Sequence, residues 1–397
     1  MKPSKQVVKD TIYDIRTTTY GGYFDYAAGT PLSPMALKAM QPFLTDQFYN
    51  PSALYIAAQE VKKALEDARG SVAKILGAKP SEIIFTAGGT EADNLAIQGV
   101  MNKYPDKNCI VSSIEHEAIL EAAKPYQHKL APVKSDGRID LVALEKLIDE
   151  DTVLISIMQA NNEIGTVEPL AEIAKIVKHS REQRKQSGNS LPLYLHTDAA
   201  QAPNYLQVLV NTLGVDLMSL NAGKIYGPKE TGALFIKTGV QLEPLIRGGG
   251  QERGYRSGTP NVANIVGFSA ALTESQEMRE EENQRLLGLR SKAYDFISKE
   301  IPSAILNGHK SLRLPNNLHL TFPGADNERL MMELDEKGFM VATGSACSAS
   351  SDDPSHVLSA IGLRDEQARS SIRISMGRDT TEASLFELLK QIQQLTK

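Results

Sequence analysis

The residue with the most chemical scope in this chain is a lysine set between two apolar runs. Lys224 sits in Asn221-Ala-Gly-Lys-Ile-Tyr-Gly-Pro228, between Asp216-Leu-Met-Ser219 and Gly232-Ala-Leu-Phe-Ile236. Both runs read as buried strands, so Lys224 points into the interior of a sheet or its cleft. Burial lowers an ammonium pKa and makes the amine a usable nucleophile. A lone lysine is most often a surface residue, so its meaning depends on the residues that come before it.

Four other positions carry weight beside it. Thr86-Ala-Gly-Gly-Thr90 follows a strand and opens a helix. Gly89 lets the backbone approach an anion closely, and Thr90 adds a hydroxyl to the free N–H groups of the first turn. The same turn also reads as a plain strand-to-helix connection with Thr90 as N-cap. It is not a P-loop, because no Gly-Lys-Ser/Thr follows. Asp198 follows the run Leu193-Tyr-Leu-His196, and Gln201 comes three residues later. An aspartate there is either a helix N-cap or the partner of a protonated ring nitrogen. His116 and Asn161-Asn-Glu-Ile-Gly165 also follow apolar runs, and each taken alone has an ordinary structural reading. As a set, the anion cradle, the ring-nitrogen carboxylate and the semi-buried lysine meet the needs of pyridoxal phosphate.

A sixth feature is Cys347, in Gly344-Ser-Ala-Cys-Ser-Ala-Ser-Ser351. The segment has small polar residues and no strong period, and it reads as an exposed, mobile loop. Structural cysteines usually lie in apolar surroundings, as Cys109 does. An exposed thiol is the better candidate nucleophile, beside the plainer reading of a spare surface thiol.

These residues need a scaffold that brings strand ends together. Short apolar runs alternate with helical patterns through the middle of the chain: strands at 82–86, 109–112, 153–157 and 193–196, helices at 91–101, 118–124 and 170–179. That alternation predicts an α/β fold with a mostly parallel sheet covered on both faces. The runs at 216–219 and 232–236 are separated only by a loop, which suits an antiparallel pair. Ligands of such sheets bind beyond the carboxyl ends of the strands, where the residues singled out above lie. The Gly-rich stretch Arg247–Asn261 reads as a boundary, and the charged helical run Thr273–Leu289 leads into a second domain.

Composition is consistent with this picture. The chain has 397 residues, 41% hydrophobic and 23% charged, which are ordinary values for a soluble two-domain protein. The net charge of −5 gives no footing for direct nucleic-acid binding. Two distant cysteines in unlike surroundings argue against a disulfide framework and for a reducing compartment. Neither a signal-peptide core nor a membrane-length apolar run occurs, so a cytoplasmic location without membrane contact is expected.

The motifs together resemble the cysteine desulfurases of the NifS/IscS type, from Tyr23-Phe-Asp-Tyr-Ala-Ala-Gly-Thr-Pro31 to Ser370-Ser-Ile-Arg-Ile-Ser-Met-Gly-Arg378. Asn162-Glu-Ile-Gly165, Lys224-Ile-Tyr-Gly-Pro228, Glu252-Arg-Gly-Tyr-Arg-Ser-Gly-Thr259 and Gly344-Ser-Ala-Cys347 occur in order. The resemblance implies a fold-type I pyridoxal-phosphate-dependent transferase. Its large domain, residues 34–275, would hold a mostly parallel seven-stranded sheet flanked by helices. Its smaller α+β domain, residues 1–33 and 276–397, would carry the Cys347 loop.

It also implies site roles. Lys224 would hold the cofactor aldehyde, Asp198 the pyridine nitrogen and Gln201 the phenolic oxygen. His116 would stack on the ring and help move protons. Gly89 and Thr90 would hold the phosphate, and Thr259 would reach the phosphate of a neighbouring subunit, which makes a homodimer. Asn162 and Arg373 would bind the substrate carboxylate. Cys347 would take sulfur from L-cysteine as a persulfide, release alanine and pass the sulfur to an acceptor protein in iron–sulfur cluster assembly, tRNA thiolation or DNA modification.

The chain departs from the family in three places. Asn221 and Gly223 stand where the family has a serine and a histidine that contact the phosphate, so weaker phosphate binding or a compensating group is expected. Asn50-Pro-Ser-Ala-Leu-Tyr55 lacks the family's usual histidine. Family members that dock an iron–sulfur scaffold use a longer tail than the one ending at Lys397, and the residues before Tyr23 have no counterpart. Other readings are a selenocysteine lyase or another C–S lyase, and a degenerate partner-binding member with low activity.

Overall fold

The computed structural model describes residues 21–344 and 354–396. Among the described residues, ten strands form two sheets. The large sheet contains β1 (Ile83–Thr86), β2 (Asn108–Ser112), β3 (Gln127–Ala131), β4 (Thr152–Ser156), β5 (Tyr194–Asp198), β6 (Leu217–Asn221) and β7 (Gly232–Ile236), in the order β1-β7-β6-β5-β4-β2-β3. Its pairings are parallel except those of β7, which runs antiparallel to both β6 and β1. No helix separates β6 from β7, so the chain can only fold back, as the sequence suggested.

Burial explains why these runs are strands. β1, β2, β4 and β7 are buried at every position. In β1, Ile83 and Phe85 join one core cluster while Ile84 joins another, so alternate side chains feed the two faces of the sheet. The sequence pattern missed β3. It is an edge strand of sequence Gln-His-Lys-Leu-Ala with mostly exposed side chains, so it carries no apolar run to read.

The helical run expected at 273–289 is the middle of a 39-residue helix, Val262–Glu300, capped by Asn261. Its buried residues stop at Ser275 and resume at Leu286. The first stretch packs on the large-sheet core and the second on a separate cluster. That cluster covers the small antiparallel sheet of β8 (Ile305–Leu306), β9 (Asn317–Thr321) and β10 (Ser371–Ser375). Among the described residues, no helix is long and apolar enough to cross a membrane. Cys109 is a free, buried thiol on β2, and burial pushes its pKa up to about 12.

Two buried ionisable groups hold the segments around the strand ends. The Gly-rich stretch after β7 is pinned by Glu252, whose carboxylate takes a two-pronged contact from Arg69, 2.8 Å on each prong. The same carboxylate accepts from the Phe85 N–H of β1 at 2.8 Å. Glu252 and Arg253 have φ of 45° and 58°, a left-handed backbone that non-glycine residues adopt only when held there. After β4, the chain makes an excursion from Gln159 to Glu168, closed by a 3.0 Å backbone bond between those two residues. The Glu168 carboxyl accepts from Ile139 N–H at 2.9 Å, and burial pushes its pKa up to about 8.

Both groups give measurable expectations. Arg69→Met strands the Glu252 charge, so unfolding free energy from a denaturant titration should fall by about 3–5 kcal/mol. A loss under about 1 kcal/mol would show that the clamp is dispensable. Glu168 is neutral in the folded chain up to about pH 8 but ionises from 4.5 when unfolded, so the native state holds the extra proton across that window. Its contribution to stability is therefore full below 4.5 and lost as pH rises towards 8. Glu168→Gln should match the parent near pH 4.5 and exceed it at pH 8 by about 4 kcal/mol. Parallel stability–pH curves would refute this account.

Candidate active site

The carboxyl ends of β1, β2, β4, β5 and β6 open onto one pocket, and nine of the twelve residues expected at the site line it: Gly89, Thr90, His116, Asn162, Asp198, Gln201, Asn221, Lys224 and Arg373. The order of the strands brings these together, because β5 and β6 lie centrally with β4 beside β5 and β1 two places from β6.

Beyond β1, Gly88 caps the helix Gly89–Lys103 with φ 146° and no side-chain cap. The first intrahelical bond runs from Ala92 N–H to Gly88 O, so the amides of Gly89, Thr90 and Glu91 precede it. A Cβ on Gly89 would lie 3.3 Å from both Cβ and Nδ2 of Asn221, so only glycine permits this approach comfortably. Asn221 spends its Oδ1 on Gly223 N–H at 3.0 Å, which turns its Nδ2 into the donor available beside the helix end. An anion such as a phosphate fits this cradle of amides, hydroxyl and carboxamide.

Beyond β2, His116 caps the helix Glu117–Ala123, and its Nδ1 accepts from Ala118 N–H at 3.0 Å. A neutral ring so bonded carries its proton on Nε2. His116 therefore caps a helix and also lines the pocket.

At the end of β5, Asp198 is buried and accepts from Ala200 N–H at 2.8 Å. Burial raises its pKa, while the Ala200 N–H, His116 and Lys224 pull the other way. Asp93 lines the same pocket; burial and the charge of Asp198 hold it well above the usual carboxylate range. A cationic ring nitrogen placed against Asp198 would keep that carboxyl ionised.

Lys224 closes the turn Ala222–Lys224 after β6. Its Nζ donates to Ala27 O at 3.0 Å and Ala28 O at 2.7 Å, and Gln201 Nε2 donates to the same Ala27 O at 2.9 Å. Arg373, in β10, reaches the pocket from the small sheet. It donates to Asp25 Oδ1 at 2.6 Å and Asn162 O at 3.0 Å, and its buried Nε has no partner among the described residues.

Three expected residues are placed otherwise. Gly223 is buried behind the pocket wall, where an added Cβ would sit 3.1 Å from Lys229 Cδ. Lys229 occupies the space beside it and donates to Thr30 O and Gly223 O. Thr259 is exposed on the Gly-rich stretch, away from this pocket. Cys347 lies outside the described residues.

Sequence reasoning missed Asp25, Asp93 and the carbonyls of Ala27 and Ala28. Asp93 sits one turn into a helix with nothing in its spacing to separate it from a solvated residue. Backbone carbonyls have no sequence signal at all. The donor set nonetheless fits pyridoxal phosphate, with an anion cradle at one end, a buried carboxyl at another and an amine between them.

Comparison with known proteins agrees. The family model described as Aminotransferase class-V matches residues 22–388. Cysteine desulfurase IscS of Dictyoglomus turgidum is 44% identical over 94% of both chains. Cysteine desulfurase IscS of Methanosarcina thermophila is 40% identical over 97% of this chain and 94% of its own. A solved NifS-like protein superposes with a TM-score of 0.85 at 36% identity, covering 94% of this chain and 98% of its own. The chain belongs to the class-V aminotransferase family, as a pyridoxal-phosphate-dependent cysteine desulfurase of the NifS/IscS type.

Proposed function

We propose a division of labour among the pocket residues for the conversion of L-cysteine to L-alanine with transfer of sulfur. Bound pyridoxal phosphate supplies an electron sink for charge developing at the substrate's α-carbon. Lys224 Nζ holds the cofactor aldehyde and, when free, takes the α-proton and returns it. The carbonyls of Ala27 and Ala28 steer that amine. Asp198 holds the ring nitrogen and Gln201 the phenolic oxygen, while His116 stacks on the ring with its Nε2 proton available. The amides of Gly89 and Thr90, with Asn221 Nδ2, hold the phosphate. Arg373 and Asn162 bind the substrate carboxylate. Gly223 serves the phosphate end only through its backbone, with Lys229 bracing the turn.

Cys347 is the sulfur acceptor on the strength of its sequence setting. Its thiolate attacks the substrate sulfur, and the S–S bond forms as the C–S bond breaks. The carbon fragment keeps the electron pair, takes up a proton and leaves as alanine. The observation that carries this reading is the convergence of Lys224, Asp198 and Arg373, from three separate segments, on one pocket.

We also propose a homodimer in which Thr259 reaches the phosphate of the other subunit. Its exposure supports this, as do Phe48, Leu54 and Ile56, which expose 70%, 93% and 82% of their surface near one another in sequence. A division into a large domain of residues 34–275 and a small one of 1–33 and 276–397 is supported by the gap in burial after Ser275. The cytoplasm suits the free thiol of Cys109. The sulfur acceptor is proposed as an iron–sulfur scaffold or a tRNA-thiolation protein.

Borohydride reduction followed by mass analysis should fix the cofactor to the parent chain and not to Lys224→Ala, whose kcat should fall by about 10²–10⁴. Cys347→Ala should keep the cofactor's absorption yet form no persulfide. Fixation in Lys224→Ala, or sulfur transfer in Cys347→Ala, would overturn the assignments. Leu54→Glu should shift the chain from dimer to monomer in light scattering, and a parent chain that is already monomeric removes the role given to Thr259.

A further inference from the structure

A second cavity, with cations set on a largely apolar lining, lies on the small-sheet side of the molecule, separate from the cofactor pocket. It has a volume of about 300 Å³. One wall is a face of the helix Val262–Glu300, with Leu287, Arg290, Ser291 and Tyr294 at positions i, i+3, i+4 and i+7. The other wall is the β8–β9 connection with its flanking residues, which contributes Lys310 and Arg313 together with apolar Leu306 and Leu318.

Arg313 is the unusual member. It is 5% exposed, and its Nη2 donates to Ile164 O, Asn307 O at 2.8 Å and Asn317 Oδ1 at 3.2 Å. Its Nε and Nη1 are buried with no partner among the described residues. A buried guanidinium with two unmet N–H groups costs free energy unless an acceptor reaches it. Burial, with the positive charge of Arg290 beside it, pulls the Arg313 pKa down to about 9. Burial also lowers that of Arg290, and among the described residues no carboxylate offsets either shift. Lys310 adds a third cation at the exposed rim. Three cations, two hydroxyls and an aliphatic floor are the surface that an oxyanion on an apolar body requires.

We propose that this groove is an anion-binding site for a small molecule carrying a phosphate or carboxylate group on an apolar body. Arg290 and Lys310 take the oxyanion, with the positive charge of buried Arg313 beneath them, and Leu287, Leu306 and Leu318 receive the apolar part. The site has a structural line to the cofactor pocket. Arg313 Nη2 holds the carbonyl of Ile164, in the excursion that carries Asn162, and the next residue along, Leu314, donates to Gly165 O at 2.8 Å. Glu163 of the same turn accepts from Ser355, where the described chain resumes after residue 353.

The test uses the holoenzyme, so that the cofactor's own phosphate already fills the cradle at Gly89. Phenyl phosphate and inorganic phosphate are titrated by calorimetry at fixed ionic strength, with the cofactor's absorption followed in parallel. One saturable site per chain is expected, tighter for phenyl phosphate. Lys310→Glu and Ser291→Glu, both substitutions of exposed residues, should each weaken binding at least about tenfold. Ser291→Glu, which tethers a carboxylate in the groove, should also raise the melting temperature. Heat that never saturates, that accompanies loss of the cofactor's absorption, or that is unchanged in both variants overturns the proposal.

Discussion

The ion pair between Arg373 and Asp25 is the interaction on which the site depends. The Arg373 guanidinium is 1% exposed, so it must be met by charge and hydrogen bonds. Asp25 supplies the charge and Asn162 a carbonyl, so one side chain joins β10, the segment after Tyr23 and the excursion after β4. The segment around Asp25 is then laid along β10, with Ala27 N–H donating to Ser375 Oγ at 2.9 Å. Only with that segment in place do the carbonyls of Ala27 and Ala28 meet Lys224, and Thr30 meet Lys229. Parts of the chain more than three hundred residues apart thus position a single amine.

The floor of the pocket holds more carboxyls than the chemistry uses directly. Asp93 and Asp198 line it, Glu115 is buried within reach of their charges, and burial raises the pKa of each. Glu115 accepts from Met158 N–H at 2.7 Å, so it also supports the chain just after β4. Below them, His196 bridges Ser156 at 2.8 Å and Ser219 at 3.0 Å, linking β4, β5 and β6. Burial drops its pKa to about 3, so it is a neutral cross-link and adds no cation to the pocket. The positive charge comes from Lys224 and the helix end at Gly89, each just beyond a strand of the large sheet, and from Arg373 in the middle of β10. This separation lets one pocket offer an anion cradle and a ring-nitrogen acceptor without the two neutralising each other.

The large sheet was legible because its central strands are apolar on both faces and need no partner to be recognised. The antiparallel return of β7 followed from the short connection alone. β3 was not legible, since an exposed edge strand is defined by its neighbour β2 rather than by its own residues. The extent of the long helix was hidden for a related reason. Its first half is buried almost all round against one core and its second along a sparse stripe against another, so no single periodic stripe runs through it.

By itself, the sequence determined the chemical types at the strand ends. Lys224, Asp198, His116, Gly89 and Thr90 stand where α/β chains place ligands, and their order already matched a phosphate-bearing cofactor with a cationic ring. What the tertiary structure decided was every contact between distant segments. Asp25 became the partner of Arg373, backbone carbonyls of Ala27 and Ala28 became the acceptors of Lys224, and Lys229 filled the space beside Gly223. The reason is physical. Residue type and local spacing set what a side chain can do, but burial and pairing arise only when segments remote in the chain exclude water from the same volume.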